Sequence, residues 1–157
     1  MATYADLAEW AIEVLKADTT VTDRVVAGAD GILETGQLNP KALEAAQRAR
    51  RESGEATKLL DLLAWDRGEE SWRDGRAAFL SVFIHDRGSG FTNIRAMRFL
   101  VVQAVLDKPV ALERDAFINR LSWVGRSGHQ WFREFDLDYE RLDFVGPLII
   151  EDDVYRS

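Results

Sequence analysis

The stretch Phe79-Leu-Ser-Val-Phe-Ile-His85-Asp86-Arg-Gly-Ser-Gly-Phe91-Thr-Asn-Ile-Arg95 decides the fold. From Arg76 the period is two. Ala78, Leu80, Val82 and Ile84 line one side while Phe79, Ser81, Phe83 and His85 line the other, the pattern of a strand. Both sides carry apolar groups, so this strand is expected to be covered on both faces. Gly88 and Gly90 then mark a turn that calls for positive φ, and a helix opens at Thr92-Asn93-Ile94-Arg95. That helix, to about Asp107, has more apolar surface than one sheet contact needs. Ile94, Met97, Val101, Ala104 and Val105 form one stripe; Phe99, Val102 and Leu106 form a second, which makes them candidates for a subunit interface.

Working outward toward the N-terminus, Thr3 and Asp6 suggest a capping box before an amphipathic helix carrying Leu7, Trp10, Ala11, Val14 and Leu15, ending near Asp18. Ile32-Leu33 can begin a short strand. Asn39-Pro40 is a helix start, and helix formers run to Glu52 before Ser53-Gly54 stops them. The leucines at 59, 60, 62 and 63 predict a second helix from Glu55 to Trp65. Together the two give an inserted helical hairpin at about 39–66.

Toward the C-terminus the chain reads as antiparallel strands. One spans Asn119 to Val124, Gly125-Arg-Ser-Gly128 turns, and Gln130 to about Phe144 is one long strand or two shorter ones. Pro147 is expected to end ladder pairing. The resulting expectation is a single α+β domain over 1–157, an antiparallel sheet with helices packed on one face plus the inserted hairpin.

Composition narrows function. At 157 residues the chain can bury a genuine core, and its net charge of −7 gives no general attraction to nucleic acid or an anionic membrane. With no cysteine there are no disulfides, thiol catalysis or cysteine-ligated metal. An acid near the N-terminus, where a signal peptide would be positive, and the lack of a long apolar run predict synthesis and retention in the cytoplasm, with no membrane partner.

No constellation of residues specifies chemistry. His85 and His129 stand in no metal-ligand spacing, and no nucleophile-elbow, P-loop or dinucleotide motif occurs. Catalytic, metal and cofactor sites are therefore expected to be absent. Arg48, Arg50 and Arg51 share their helix with Glu44 and Glu52 and are read as a solvated face. Trp10 and Trp65 are assigned to the core; Trp72, Trp123 and Trp131 are left as core or interface anchors. Between Trp131 and Glu140 the alternation places Glu134, Asp136, Asp138 and Glu140 on one strand face. Such a row is a solvated surface or a negative wall that does not hold an anion. It is too flat for calcium and cannot pair carboxylates across a cleft.

The wording Asp86-Arg87-Gly88-x-Gly90-aromatic-x-Asn93-Ile94-Arg95, with the order of elements around it, resembles the tail-terminator proteins of long-tailed bacteriophages. The resemblance implies a small α+β fold without catalytic residues. It also implies a homo-hexameric ring at the head-proximal end of the tail tube, where tube growth stops and the tail joins the head. The implied partners are further copies of the chain, the tail tube protein and the head-tail connector or stopper, with double-stranded DNA passing without specific binding. The acidic row would then line the channel, and the protein, made in the bacterial cytoplasm, would reside in the virion. One alternative of the same class is a connector or stopper protein of the neck. A different class, a small hydrolase using His85 with nearby acids, has only residue types in its favour.

Overall fold

The computed structural model describes residues 2–150 except Thr35, Leu38, Arg73, Asp74 and Gly90. Along the chain these form β1 (Thr3–Tyr4), α1 (Leu7–Ala17), α2 (Thr19–Thr22), a 3-10 turn (Gly28–Gly31), β2 (Ile32–Glu34) and α3 (Pro40–Ser53). There follow β3 (Asp61–Trp72), β4 (Gly75–Asp86), α4 (Thr92–Val105), β5 (Val110–Leu112), β6 (Ala116–Ile118), β7 (Ser122–Arg126), β8 (Gln130–Phe132) and β9 (Leu137–Ile150).

The sheet order is β1-β5-β6-β9-β4-β3-β2, and β7 and β8 also pair with β9. Its centre is antiparallel, with Ile84 opposite Leu62 on one side and Glu140 on the other. The ends are not. β1 runs parallel to β5 and β2 parallel to β3, so the sheet is mixed, where the sequence suggested a purely antiparallel one.

The helices α1 and α4, with Val21 of α2, cover one face. Leu7, Trp10, Ala11 and Leu15 meet Ile94, Met97, Val101 and Val105 above Leu62, Leu80, Val82, Ile84, Leu142 and Phe144, and all are buried. The periodicity of α1, β4 and α4 anticipated this core. Asp6, not Thr3, caps α1, its carboxylate accepting from Glu9 N at 2.9 Å, because Thr3 and Tyr4 are taken up in pairing with Ala111 and Leu112.

The expected hairpin is absent as such. Its first helix exists as α3, capped by Asn39 and ended by Gly54 at φ 72. The second does not, since residues from Asp61 onward form β3. An unbroken apolar run cannot distinguish a helix from a strand buried on both sides. The strand prevails here because β2 and β4 take both edges of Leu62–Ala64, while Leu62 and Leu63 bury opposite faces. Trp65, assigned to the core as part of that helix, is instead 39% exposed on the sheet.

Pro147 does not stop β9. It lies opposite Ala77 on the β4 side. On the other edge it falls in the gap between Val145, where β7 ends its register, and Leu148, where β6 begins. Gly146 is required by a close approach in the same gap. A Cβ there would lie 2.4 Å from Ile118 Cγ2 and 3.0 Å from Arg120 O. Gly146→Ala is therefore expected to destabilise the fold by about 1–3 kcal/mol through overpacking, read as a lower denaturant midpoint with unchanged slope. Wild-type stability in that variant would refute the close-approach account.

Candidate functional site at the turn after β4

Asp86 ends β4 with a fully buried carboxylate. A charge in that position needs a cation and donors. Arg50, from the last turn of α3, supplies the cation: its Nη1 donates to Asp86 Oδ1 and to Lys58 O at 2.9 Å, and its Nη2 donates to Arg87 O at 2.5 Å. Asn93, in the first turn of α4, completes the set. Its amide donates to Asp86 Oδ2 at 3.1 Å and to Ala56 O at 2.9 Å.

Arg87 works in the opposite direction. Its guanidinium leaves the turn to donate to Asp136 O at 2.9 Å and Phe135 O at 2.5 Å, and to Glu44 Oε1 at 2.9 Å and Gln47 Oε1 at 2.6 Å on α3. One arginine thus enters the turn from α3 while the turn's own arginine reaches back. Gly88 permits the geometry at φ 80, with open space where a Cβ would stand. Phe91 precedes α4 at φ 79, which is costly for a non-glycine residue. Its ring is buried and stacks on His129 at 4.3 Å, with Arg95 5.9 Å from the centroid. Ile94 enters the main core. Of the seven residues singled out in this stretch, Asp86, Arg87, Gly88, Asn93, Ile94 and Arg95 are thereby placed; Gly90 lies outside the described residues.

Arg50 was read as solvated and is not. No periodicity could mark it, because its partner is 36 residues away. A cleft of 310 Å³ opens beside it, lined by Gln47, Arg50, Arg51 and Arg87 among others. Two of those guanidiniums are already engaged by acceptors within the chain, so the arrangement is a joint between segments.

The acidic row does not form. Glu134 and Asp136 lie in the turn between β8 and β9, Asp136 at φ 49. Asp138 meets His129 Nε2 at 2.8 Å. Glu140 is fully buried, accepting from Arg98 at 2.9 and 3.0 Å and from Arg126 at 3.2 Å. The alternation that suggested one strand runs through a hairpin turn, which resets the faces. The proposed apolar interface also divides: Val102 is buried in the chain's own core and Leu106 packs against it, leaving Phe99 59% exposed.

His85 is buried and pairs through Nδ1 with Asp61 Oδ1 at 2.6 Å. Among the described residues no Ser or Thr hydroxyl is hydrogen-bonded to its ring, no group of three potential metal ligands occurs, and no helix is long and apolar enough to cross a membrane.

This architecture defines a class: a mixed, largely antiparallel sheet with helices on one face and a polar clasp at the end of its central hairpin. No protein-family model matches the chain, and neither does any curated protein. Its shape is similar to that of a chain in the virion of a native gene transfer agent particle, with a TM-score of 0.58. The likeness covers 88% of this chain and 90% of that one at 14% identity, which establishes a shared fold.

Truncating Arg50 would leave Asp86 buried and uncompensated. Arg50→Met is expected to cost about 3–5 kcal/mol, whereas Glu44→Gln, at an exposed pair, should cost about 1 kcal/mol or less. Pairing Arg50→Met with Asp86→Asn should recover part of the loss. Equal, small losses in the two single variants, measured by chemical denaturation, would contradict the clasp.

Proposed function

We propose that the chain is a noncatalytic structural protein of a phage-like virion, acting as its tail terminator. In this role copies form a homo-hexameric ring at the head-proximal end of the tail tube, stop tube polymerisation and join the tail to the head-completion proteins. The observation that carries the proposal is the likeness to a virion chain over nearly the full length of both proteins. The Asp86–Arg95 wording adds the terminator role. Support for a noncatalytic role comes from the same likeness to a virion chain; the buried Asp61–His85 pair is read as a contact that ties β3 to β4.

The net charge of −7 is consistent with DNA passing such a ring without being retained, although no single row of acids provides this. The partners are the tube protein on one side and a connector or stopper on the other.

Deleting the gene should give tails of abnormal length or tails that fail to join heads, scored by electron microscopy. Reconstruction of the neck should show a ring of this chain on the tube end. Normal tails joined to heads in the deletion strain would refute the terminator role. A ring lying only against the portal, with normal tube length, would assign the chain to the connector or stopper class.

A further inference from the structure

α3 is fastened to the molecule differently from the other long helices. α1 buries Leu7, Ala8, Trp10, Ala11 and Leu15, and α4 buries Ile94, Met97, Val101, Val102, Ala104 and Val105, whereas α3 buries Leu43 alone over its 14 residues. Leu43 does not join the main core. It sits with Leu60 and Leu137 in a separate cluster flanked by Ala46 and Phe135. Leu43, Ala46, Gln47 and Arg50 share one side of the helix, so α3 meets the body along a narrow stripe whose second half is polar. Segments with few buried apolar contacts open at a lower free energy than the core they rest on.

Charge fastens the polar half. Arg50 donates to Asp86 and to the carbonyls of Lys58 and Arg87, and Arg87 reaches back to Glu44 and Gln47. Removing the Arg50 side chain alone would strand a buried carboxylate. Moving the whole helix away does not. Arg50 lines the open cleft on that side of Asp86, so its departure lets water reach both ions, and the burial cost of each ion disappears together with their attraction.

We infer that α3 is a strap latched by the Arg50–Asp86 pair, which swings away as a unit while the rest of the chain stays folded. The chain therefore has a closed and an open state. In the open state Leu60, Leu137 and the turns at 86–89 and 133–136 lose the cover that α3 gives them. The inference does not rest on the terminator role.

The chain has no cysteine, so single buried thiols report opening. Leu43→Cys on the strap, Leu60→Cys beneath it and Val101→Cys in the main core, all at buried positions, are treated with a thiol reagent in the purified chain across low urea concentrations. Leu43→Cys and Leu60→Cys are expected to react at similar rates, about a hundredfold or more faster than Val101→Cys and with weak urea dependence. Val101→Cys should react through global unfolding, whose larger exposed surface gives a steep dependence. Adding Arg50→Met should speed the first two about tenfold or more. Because cysteine itself weakens the Leu43 contact, amide hydrogen exchange of the unsubstituted chain is measured alongside. Peptides from 41–53 are expected to exchange about a hundredfold or more faster than those from 97–105.

Equal rates and equal urea dependence at all three thiols, or protection of 41–53 matching that of 97–105, would show that α3 opens only with the whole chain and would overturn the inference. Fast reaction at 43 without 60 would reduce the motion to a fraying helix and overturn it too. An unchanged rate in Arg50→Met would refute the latch.

Discussion

The carboxylate of Asp86, with no solvent contact, constrains everything around it. A buried anion is tolerated only with a cation and hydrogen-bond donors, and the chain supplies these from two helices that are far apart in sequence: Arg50 of α3 and Asn93 of α4. α3 has little else to hold it, since of its buried side only Leu43 is fully enclosed, in a small cluster with Leu60 and Leu137. Its place is therefore set by charge more than by apolar area. Because Arg50 also fixes the Arg87 carbonyl, while the Arg87 guanidinium holds Phe135 and Asp136, loss of one contact would release the β8–β9 turn as well.

The same device recurs across the sheet. Glu140 is shared by Arg98 and Arg126, joining α4, β9 and β7. Asp143 is shared by Arg67 and Arg141, joining β3 to β9. Glu69 is shared by Arg76 and Arg114, joining β3, β4 and the turn after β5. Of the three, only Glu140 is fully buried with a buried partner, Arg98, so removing that arginine is costly, whereas the partly exposed Asp143 and Glu69 pairs add little. They discriminate against wrong registers, because a one-residue slip would leave a charge on the other face of the sheet. Three of β9's edge partners are short, so its register benefits from such markers.

What could be read from the sequence follows from the same physics. β4 and the helices α1 and α4 were legible because each presents a periodic apolar face to one dominant neighbour. The turn after β4 was legible from its glycines, and α3 from Asn39-Pro40 and Gly54. β3 was not, since its leucines serve both faces and their spacing carries no period. The acids from Glu134 to Glu140 misled for a related reason. Alternation continues through the turn at 133–136, but the backbone reverses there, with Asp136 in a left-handed conformation, so parity no longer reports side. Arg50, Arg98 and the Asp61–His85 pair depend on contacts 24 to 42 residues apart, which no local pattern encodes.

The edges of the sheet also bear on how copies of such a chain can meet. An open strand edge is the commonest route to uncontrolled association. Here the terminal strands are a two-residue β1 and a three-residue β2, both paired in parallel. β2 covers β3 only over Leu62–Ala64, and just beyond it the β3–β4 ladder is broken by a bulge between Asp66 and Gly68, with Gly68 at φ 89. The Leu7 N–H donates to the Asp66 carboxylate at 2.9 Å, so the start of α1 stands against the same place. Bulges, short strands and a covering helix are how sheets suppress edge pairing. With the edges blunted in this way, the surfaces left with enough apolar area for a specific contact are broad faces, and faces differ from edges in a consequential respect. An edge accepts any strand, whereas a face accepts only a partner whose shape and charge fit it.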